Sequence, residues 1–421
     1  MKARIITSLL IIIFTIISNG QSKIKVSLVG SVDTTNTEIN NVFNLFRDYI
    51  RSNPDSTYYY DNPYWDKTEK LEYLNAGSPY FDNASGIIFR ADTKANYIFS
   101  IFTPKVLSIE KLDSNLFSIK TLFYSNKYAE DPTYGKWNPY YITKHYCVKK
   151  EGDYYLKNAI SYETSFWNKY RYNQIEYIVH PSMLFDSISV KKTIKFIEKT
   201  CQRYNLTIPK QISYYVAPSS EEVGKLFNFT FNISPFGSMA NTHLFRIITL
   251  GENFNNIHEI THLIFNQAKW NDKTRPFIIN EGLATFLGGT KGELPFLEEL
   301  KIFSKEIKQE KDLTLNSIIQ RKYSHDKDNN PIYITGAYIF YKVYNKHGAE
   351  GVVSLFNCGK TDFEFQKMIE KLFNMSYEKF NVWIIEQLRQ ESQNVRYQHN
   401  IPVQRRGSRV SHIGLYIKRY C

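Results

Sequence analysis

Cysteine is scarce in this chain: four in 421 residues, at Cys147, Cys201, Cys358 and Cys421. Their scatter gives no Cys-x-x-Cys spacing, which excludes a thiolate metal module. In an oxidising compartment they could form up to two disulfides, with three possible connectivities. Isolated buried thiols, or one bridge at most, are the expectation. Beyond residue 20 there is no apolar run long enough to cross a bilayer. An arginine-rich stripe is missing too, despite a net charge of +12, so a nucleic-acid module is not expected. The lysines are spread along the chain, and only the end concentrates charge, at Arg405, Arg406, Arg409, Lys418 and Arg419. Such charge reads as solvated, with weak attraction to acidic surfaces.

Residues 1–20 have the parts of a secretory signal. Lys2 and Arg4 open it, Ile5 to Ile17 form a short apolar run, and Ser18 and Gly20 precede a cut at Gln21. No cysteine follows the run at a lipid-attachment position. An exported protein is expected, secreted or periplasmic, and in a glycosylating host Asn205 and Asn228 would be acceptor sites.

The length suits two or three domains with ample core. Tyrosine and phenylalanine are abundant, at 32 and 29, which fits aromatic-rich packing. Residues 21–172 read as an amino-terminal α+β domain, compatible with an NTF2-like or similar module. Its pattern predicts a helix over Thr37–Arg51 and strands over Tyr97–Ile109, Phe117–Phe123, Tyr140–Val148 and Tyr154–Ile160. Glu151-Gly152-Asp153 marks a hairpin turn. Residues 173–395 form a second domain, followed by a basic tail at 396–421. The second domain opens with strands at Ile175–His180 and Gln211–Val216 around a helix at Val190–Tyr204. A strand over Thr242–Leu250 comes next, and after residue 281 the pattern is almost wholly helical.

Two segments inside the second domain carry chemistry. His258-Glu259-Ile260-Thr261-His262 lies in a stretch with helical apolar spacing at Ile257, Ile260 and Ile264. On a helix, residues four apart share a face, so His258 and His262 can offer two imidazoles to one metal ion. Glu259 sits a step round the cylinder, in reach of the metal's water but not of the metal. Asn280-Glu281-Gly282-Leu283-Ala284 follows, on a helix opened by Pro276. Glu281 is the candidate for a third ligand, since a catalytic zinc takes three protein ligands and keeps a fourth position open.

These segments resemble the gluzincin metallopeptidases, the aminopeptidase-N-like and peptidase-MA-like families above all. The gap of residues 263–280 between the two motifs and the Asn-Glu-Gly-x-Ala form match that signature. Tyr333-Ile334-Thr335-Gly336-Ala337 resembles the family's Tyr-x-x-Gly-Ala helix. The resemblance implies an α+β fold: a thermolysin-like catalytic domain with a mixed sheet and a helical lower half. It implies Zn2+ held by His258, His262 and Glu281, with Glu259 as general base and Tyr333 stabilising the transition state of peptide-bond hydrolysis. It also implies that the last strand walls the cleft and offers its edge to an extended peptide or protein substrate. One departure concerns substrate class. Aminopeptidases of this kind carry Gly-x-Met-Glu-Asn ahead of the zinc helix, whose glutamate binds the free amino terminus. Here the segment is Gly237-Ser238-Met239-Ala240-Asn241, with Ala240 where the acid would be. Two rival readings are a catalytically silent binding protein of the same fold and an interaction protein led by the amino-terminal domain. The intact base Glu259 counts against the first, and neither accounts for the ligand triad as economically.

Overall fold

A computed structural model describes residues 24–394 apart from 53–61, 79–80, 85–101, 126–139, 233–235, 267–274, 293, 321–322 and 324–330. The signal at 1–20, the tail at 396–421 with Cys421, and the start of the expected strand at Tyr97 lie outside the described residues.

Strand β1 (Ser27–Leu28) leads to helix α1 (Thr37–Arg51). Asn36 caps α1 by accepting hydrogen bonds from Glu38 N and Ile39 N, and Val42, Phe46, Tyr49 and Ile50 form its buried face. Helix α2 (Lys67–Asn75) is capped by Asp66. Strands β2 (Thr103–Asp113), β3 (Leu116–Tyr124), β4 (Tyr140–Lys150) and β5 (Asp153–Lys157) form an antiparallel run, with β1 parallel to β2 at the edge. Glu151 and Gly152 both take positive φ in the two-residue β4–β5 turn, whose twist suits a hairpin. The strand expected over Tyr154–Ile160 stops at Lys157, and a one-turn helix α3 (Ile160–Glu163) follows. The physical reason is Asn158, whose side chain turns inward to a polar network described below.

The second sheet begins with β6 (Asn168–Tyr172) and β7 (Ile175–Val179), a hairpin. Helix α4 (Ser187–Tyr204) crosses to β8 (Ile212–Ala217), which runs parallel to β7. Helix α5 (Ser220–Leu226) then returns the chain to the first sheet, where β9 (Phe229–Asn232) pairs with β4 beside β5. The amino-terminal sheet is therefore completed by residues far along the chain. Strands β10 (Met239–Asn241) and β11 (Arg246–Leu250) finish the second sheet, in the order β10-β11-β8-β7-β6, with β11 parallel to β8 and antiparallel to β10. The strand expected over Thr242–Leu250 is thus a hairpin, turning at residues 242–245.

Side-chain alternation explains why both faces of this sheet are apolar. Tyr177, Tyr214, Val216 and Ile247 pack with the helical core on one face, while Ile178, Ala217 and Ile248 join the core of the first sheet on the other.

The remainder is helical: α6 (Ile257–Phe265), α7 (Phe277–Gly288), α8 (Phe296–Glu306), α9 (Leu315–Ile319), α10 (Pro331–Phe356), α11 (Asp362–Phe373) and α12 (Tyr377–Asn394). Gly348 leaves helical geometry inside α10, at φ 64°, and so divides it into two runs. The class is α+β with mixed sheets. Among the described residues no helix is long and apolar enough to cross a membrane.

A buried polar network joins the two halves. Asp82 accepts hydrogen bonds from Tyr49 Oη at 2.6 Å, from Asn228 Nδ2 at 3.1 Å and from His145 Nε2 at 3.2 Å. Asn228 also donates to Asn158 and accepts from Ala159 N, and Asn158 donates to Glu69. Burial disfavours the Asp82 charge, but the His145 imidazole and these donors outweigh it and hold the carboxyl below its usual range. Asn228 is wholly buried, so the folded protein cannot present it for glycosylation. Asn205, the left-handed cap of α4, is exposed.

Candidate metal centre

Helix α6 is fixed at its start from three sides. Asn256 caps it by accepting from Glu259 N at 3.2 Å, and its own N–H donates to Tyr214 Oη. Tyr177 Oη and Thr193 Oγ1 both donate to Phe254 O. The helix therefore starts where the second sheet dictates, with His258 and His262 on one face and Ile257, Ile260, Leu263 and Ile264 in the core.

Helix α7 brings Glu281 opposite that face. His258 Nε2 lies 3.2 Å from His262 Nε2 and 3.2 Å from Glu281 Oε2, and His262 Nε2 lies 3.4 Å from the same oxygen. These three atoms form a nearly equilateral triangle. A tetrahedral zinc with bonds of about 2.0–2.1 Å would set its ligand atoms about 3.3 Å apart, so the donor set fits such an ion. The three side chains are 5%, 11% and 13% exposed, which leaves one open side.

His258 Nδ1 lies 2.8 Å from Gly289 O. A carbonyl only accepts, so Nδ1 carries the proton and Nε2 keeps its lone pair toward the triangle. Burial would lower the His258 pKa, but the Glu281 and Glu259 carboxylates outweigh it and raise it. Burial pushes Glu281 up, and the His258 and then the His262 imidazole beside it outweigh that, holding the carboxyl far below its usual range.

Glycines explain how the three helices come so close. A Cβ on Gly282 would lie 2.7 Å from Gly336 Cα, and one on Gly336 would lie 2.4 Å from Ile278 O. Helices α7 and α10 thus cross backbone to backbone, one residue from Glu281 and three from Tyr333. A Cβ on Gly288 would lie 2.4 Å from His258 N, so the end of α7 rests against the start of α6. At the crossing, the Tyr333 ring stacks beside His258 at a centroid distance of 6.0 Å and meets Phe277 edge-on at 5.5 Å. Glu259, part-exposed, faces the same cleft as the triangle.

Other residues in the arrangement carried no recognised pattern in the sequence. Glu299, 5% exposed, accepts from Thr290 N and Oγ1 and so pins the loop whose Gly289 carbonyl holds His258. Its own carboxyl is raised, chiefly by burial. Asn266 donates to His262 O and to Asn280 Oδ1, and Arg275 Nη1 donates to Asn266 Oδ1 at 2.6 Å. That clamp ties the end of α6 to the residue before Glu281. The Gly288-Gly289 pair was the available signal for the loop. Nothing in the sequence marked Asn266 or Glu299.

The cleft has a volume near 1270 Å³. Strand β10 walls one side through Met239 and Ala240, with Ser238 just ahead of it, and the end of α2 contributes Asn75, Ala76 and Gly77. The free edge beside the cleft is therefore that of β10 and not of the expected last strand: β11 is interior, because β10 pairs along it, although Leu250 at its end also lines the cleft. Cys147, Cys201 and Cys358 are buried free thiols away from the cleft. Burial pushes them up to about 12, about 11 and about 11. His258, His262 and Glu281 are the three-residue group that could hold a metal among the described residues. No protein-family model matches the chain, and no curated protein is detectably similar to it in sequence.

Proposed function

We propose that this protein is a zinc metallopeptidase of the gluzincin kind, exported, that hydrolyses internal peptide bonds. The observation that carries the reading is the triangle of His258, His262 and Glu281 at the open side of a cleft lined also by Glu259 and Tyr333. A structural zinc site is closed by four protein ligands, whereas three with an open side is the catalytic arrangement. Zinc bound there would act as a Lewis acid on the scissile carbonyl and bring the pKa of a water toward about 7. Glu259 takes the proton from the attacking water and delivers it to the leaving amine. Tyr333, beside His258, donates a hydrogen bond to the developing oxyanion; removing one such donor costs about 3 kcal/mol of transition-state stabilisation. An extended peptide lies along the outer edge of β10, held by backbone hydrogen bonds that tolerate varied sequence.

Internal cleavage is favoured over removal of amino-terminal residues. Ala240 lies on the cleft wall, and among the described lining residues the only carboxylates are Glu259 and Glu281. Both are committed to the reaction, which leaves the α-ammonium of a peptide without an acid to anchor it. The test pairs metal analysis with a fluorogenic peptide library. Wild type should carry about one zinc per chain and cleave within peptides blocked at both ends. Glu281→Ala should lose the metal. Glu259→Gln should keep it and lose turnover; full activity in that variant would refute the mechanism.

A further inference from the structure

Three strongly exposed large apolar side chains stand at one end of the second sheet, where β6 starts, β7 stops and α4 opens, and none of them lines the cleft. Leu184 is 85% exposed, Ile188 68% and Phe166 63%. Phe166 and Leu184 flank one turn: the Phe166 ring lies 6.3 Å from that of His180, and Met183 N donates to His180 O. Leu184 is not on a slack loop. Its neighbour Phe185 stacks on Tyr170 with centroids 4.0 Å apart and packs edge-on against Phe254. Anchoring Phe185 inward throws Leu184 outward. Ile188 follows in the first turn of α4, which Asp186 caps.

The rest of α4 supplies a second feature on the same line. At about 100° per residue, Ile188, Lys192, Lys195 and Lys199 fall within about 40° of one stripe along the helix. All four are exposed, as is Lys191 beside them. The helix carries five basic residues, Arg203 included, and one acid, Glu198. Its opposite face is fixed in the core through Val190, Ile197, Cys201 and Tyr204, so the stripe has one orientation. Solvated lysines alone would be ordinary. An apolar tip that costs solvation, set at the head of a cationic line, is the arrangement of a surface that dips apolar groups below anionic headgroups while lysines pair with phosphates.

We propose that the Phe166–Leu184–Ile188 tip and the lysine stripe of α4 dock this protein peripherally on an anionic lipid surface. The charge complementarity and the rigid outward presentation of Leu184 select lipid over a folded partner, which would need a broader apolar patch. The proposal is independent of the metal centre, because none of these side chains lines the cleft.

Sedimentation with vesicles tests it, using the mature full-length protein. Vesicles of phosphatidylcholine with an equal part of phosphatidylglycerol should bind at least tenfold more tightly than phosphatidylcholine alone, and binding should fall as salt rises. Leu184→Asp/Ile188→Asp and Lys192→Glu/Lys195→Glu/Lys199→Glu should each lower that affinity at least tenfold. Both should keep the wild-type melting curve, since the positions are exposed. Equal binding to both vesicle types, or wild-type binding by either variant, would overturn the proposal. So would a concentration-dependent dimer abolished by Leu184→Asp/Ile188→Asp in a protein that ignores vesicles, which would assign the tip to a second copy of the chain.

Discussion

Gly289→Ala separates the loop's role in orienting His258 from its role in packing. Gly289 sits at φ 78° and ψ 170°, a region populated almost only by glycine, where another residue costs about 1–3 kcal/mol. An added Cβ would also lie 1.8 Å from Leu294 O, so the loop must move and not merely strain. Its carbonyl would then leave His258 Nδ1, now 2.8 Å away. A buried N–H without a partner costs about 1–3 kcal/mol. The free imidazole can also take the wrong tautomer, and losing such an outer partner lowers metal affinity about 10–100-fold. The variant should thus lose about 2–6 kcal/mol of metal-free stability, summing the two costs, and bind zinc at least tenfold more weakly. Chelator-competition titration reads the affinity, and melting in excess chelator reads the stability. Gly152→Ala is the control: it has φ 94° and open space around its Cβ, and lies in a hairpin remote from the metal. It should lose about 1 kcal/mol and keep zinc affinity. A Gly289→Ala protein that binds zinc within twofold of wild type would refute the claim that this carbonyl orients His258.

Two further outcomes follow from the same packing. Gly336→Ala must part α7 from α10, because its Cβ would lie 2.4 Å from Ile278 O. Melting should show a loss of about 1–3 kcal/mol, with zinc affinity falling in step as Glu281 moves; a variant as stable as wild type would show that the crossing has slack. Glu69 gives a pH signature: burial, only partly opposed by Asn158, pushes its carboxyl from 4.5 to about 7. The folded protein then holds a proton that the unfolded chain releases, so this group's contribution to stability falls as pH rises from 4.5 to about 7 and is level above. The loss is at most about 3 kcal/mol. Glu69→Gln removes that charge, so its stability advantage over wild type should grow between about pH 5 and about pH 8 by up to that amount. A difference independent of pH would refute the assignment.

What the sequence showed, and what it hid, divides by the range of the interactions. Helix α1 was legible because each of its signals is local: Asn36 caps the first turn, and the apolar face of Val42, Phe46, Tyr49 and Ile50 recurs from one turn to the next. His258, His262 and Glu281 were legible because ligand spacing on helices is local, although their convergence depends on Gly282 meeting Gly336 more than fifty residues away. The glycines were visible only as letters inside the two motifs; the close approach that requires them is a tertiary fact. β9 and β10 were hidden for the opposite reason. They have four and three residues, too short to show alternation, and their strand character comes from the edges of β4 and β11 that receive them. The same holds for Asn158, which read as strand and is instead drawn into the network of Asp82, Asn228 and Glu69. A buried asparagine has no periodic signature. Its partners come from residues 69, 81 and 228, and only the folded chain brings them together. This also bears on why the amino-terminal half belongs to the cleft. Asn83 links α2 to α5, accepting from Tyr73 Oη and donating to Leu226 O, and the end of α2 supplies Asn75, Ala76 and Gly77 to the wall facing β10. A chain cut at residue 172 would lose β9 from one sheet and one wall from the cleft, so a boundary drawn there on sequence texture divides both the sheet and the cleft.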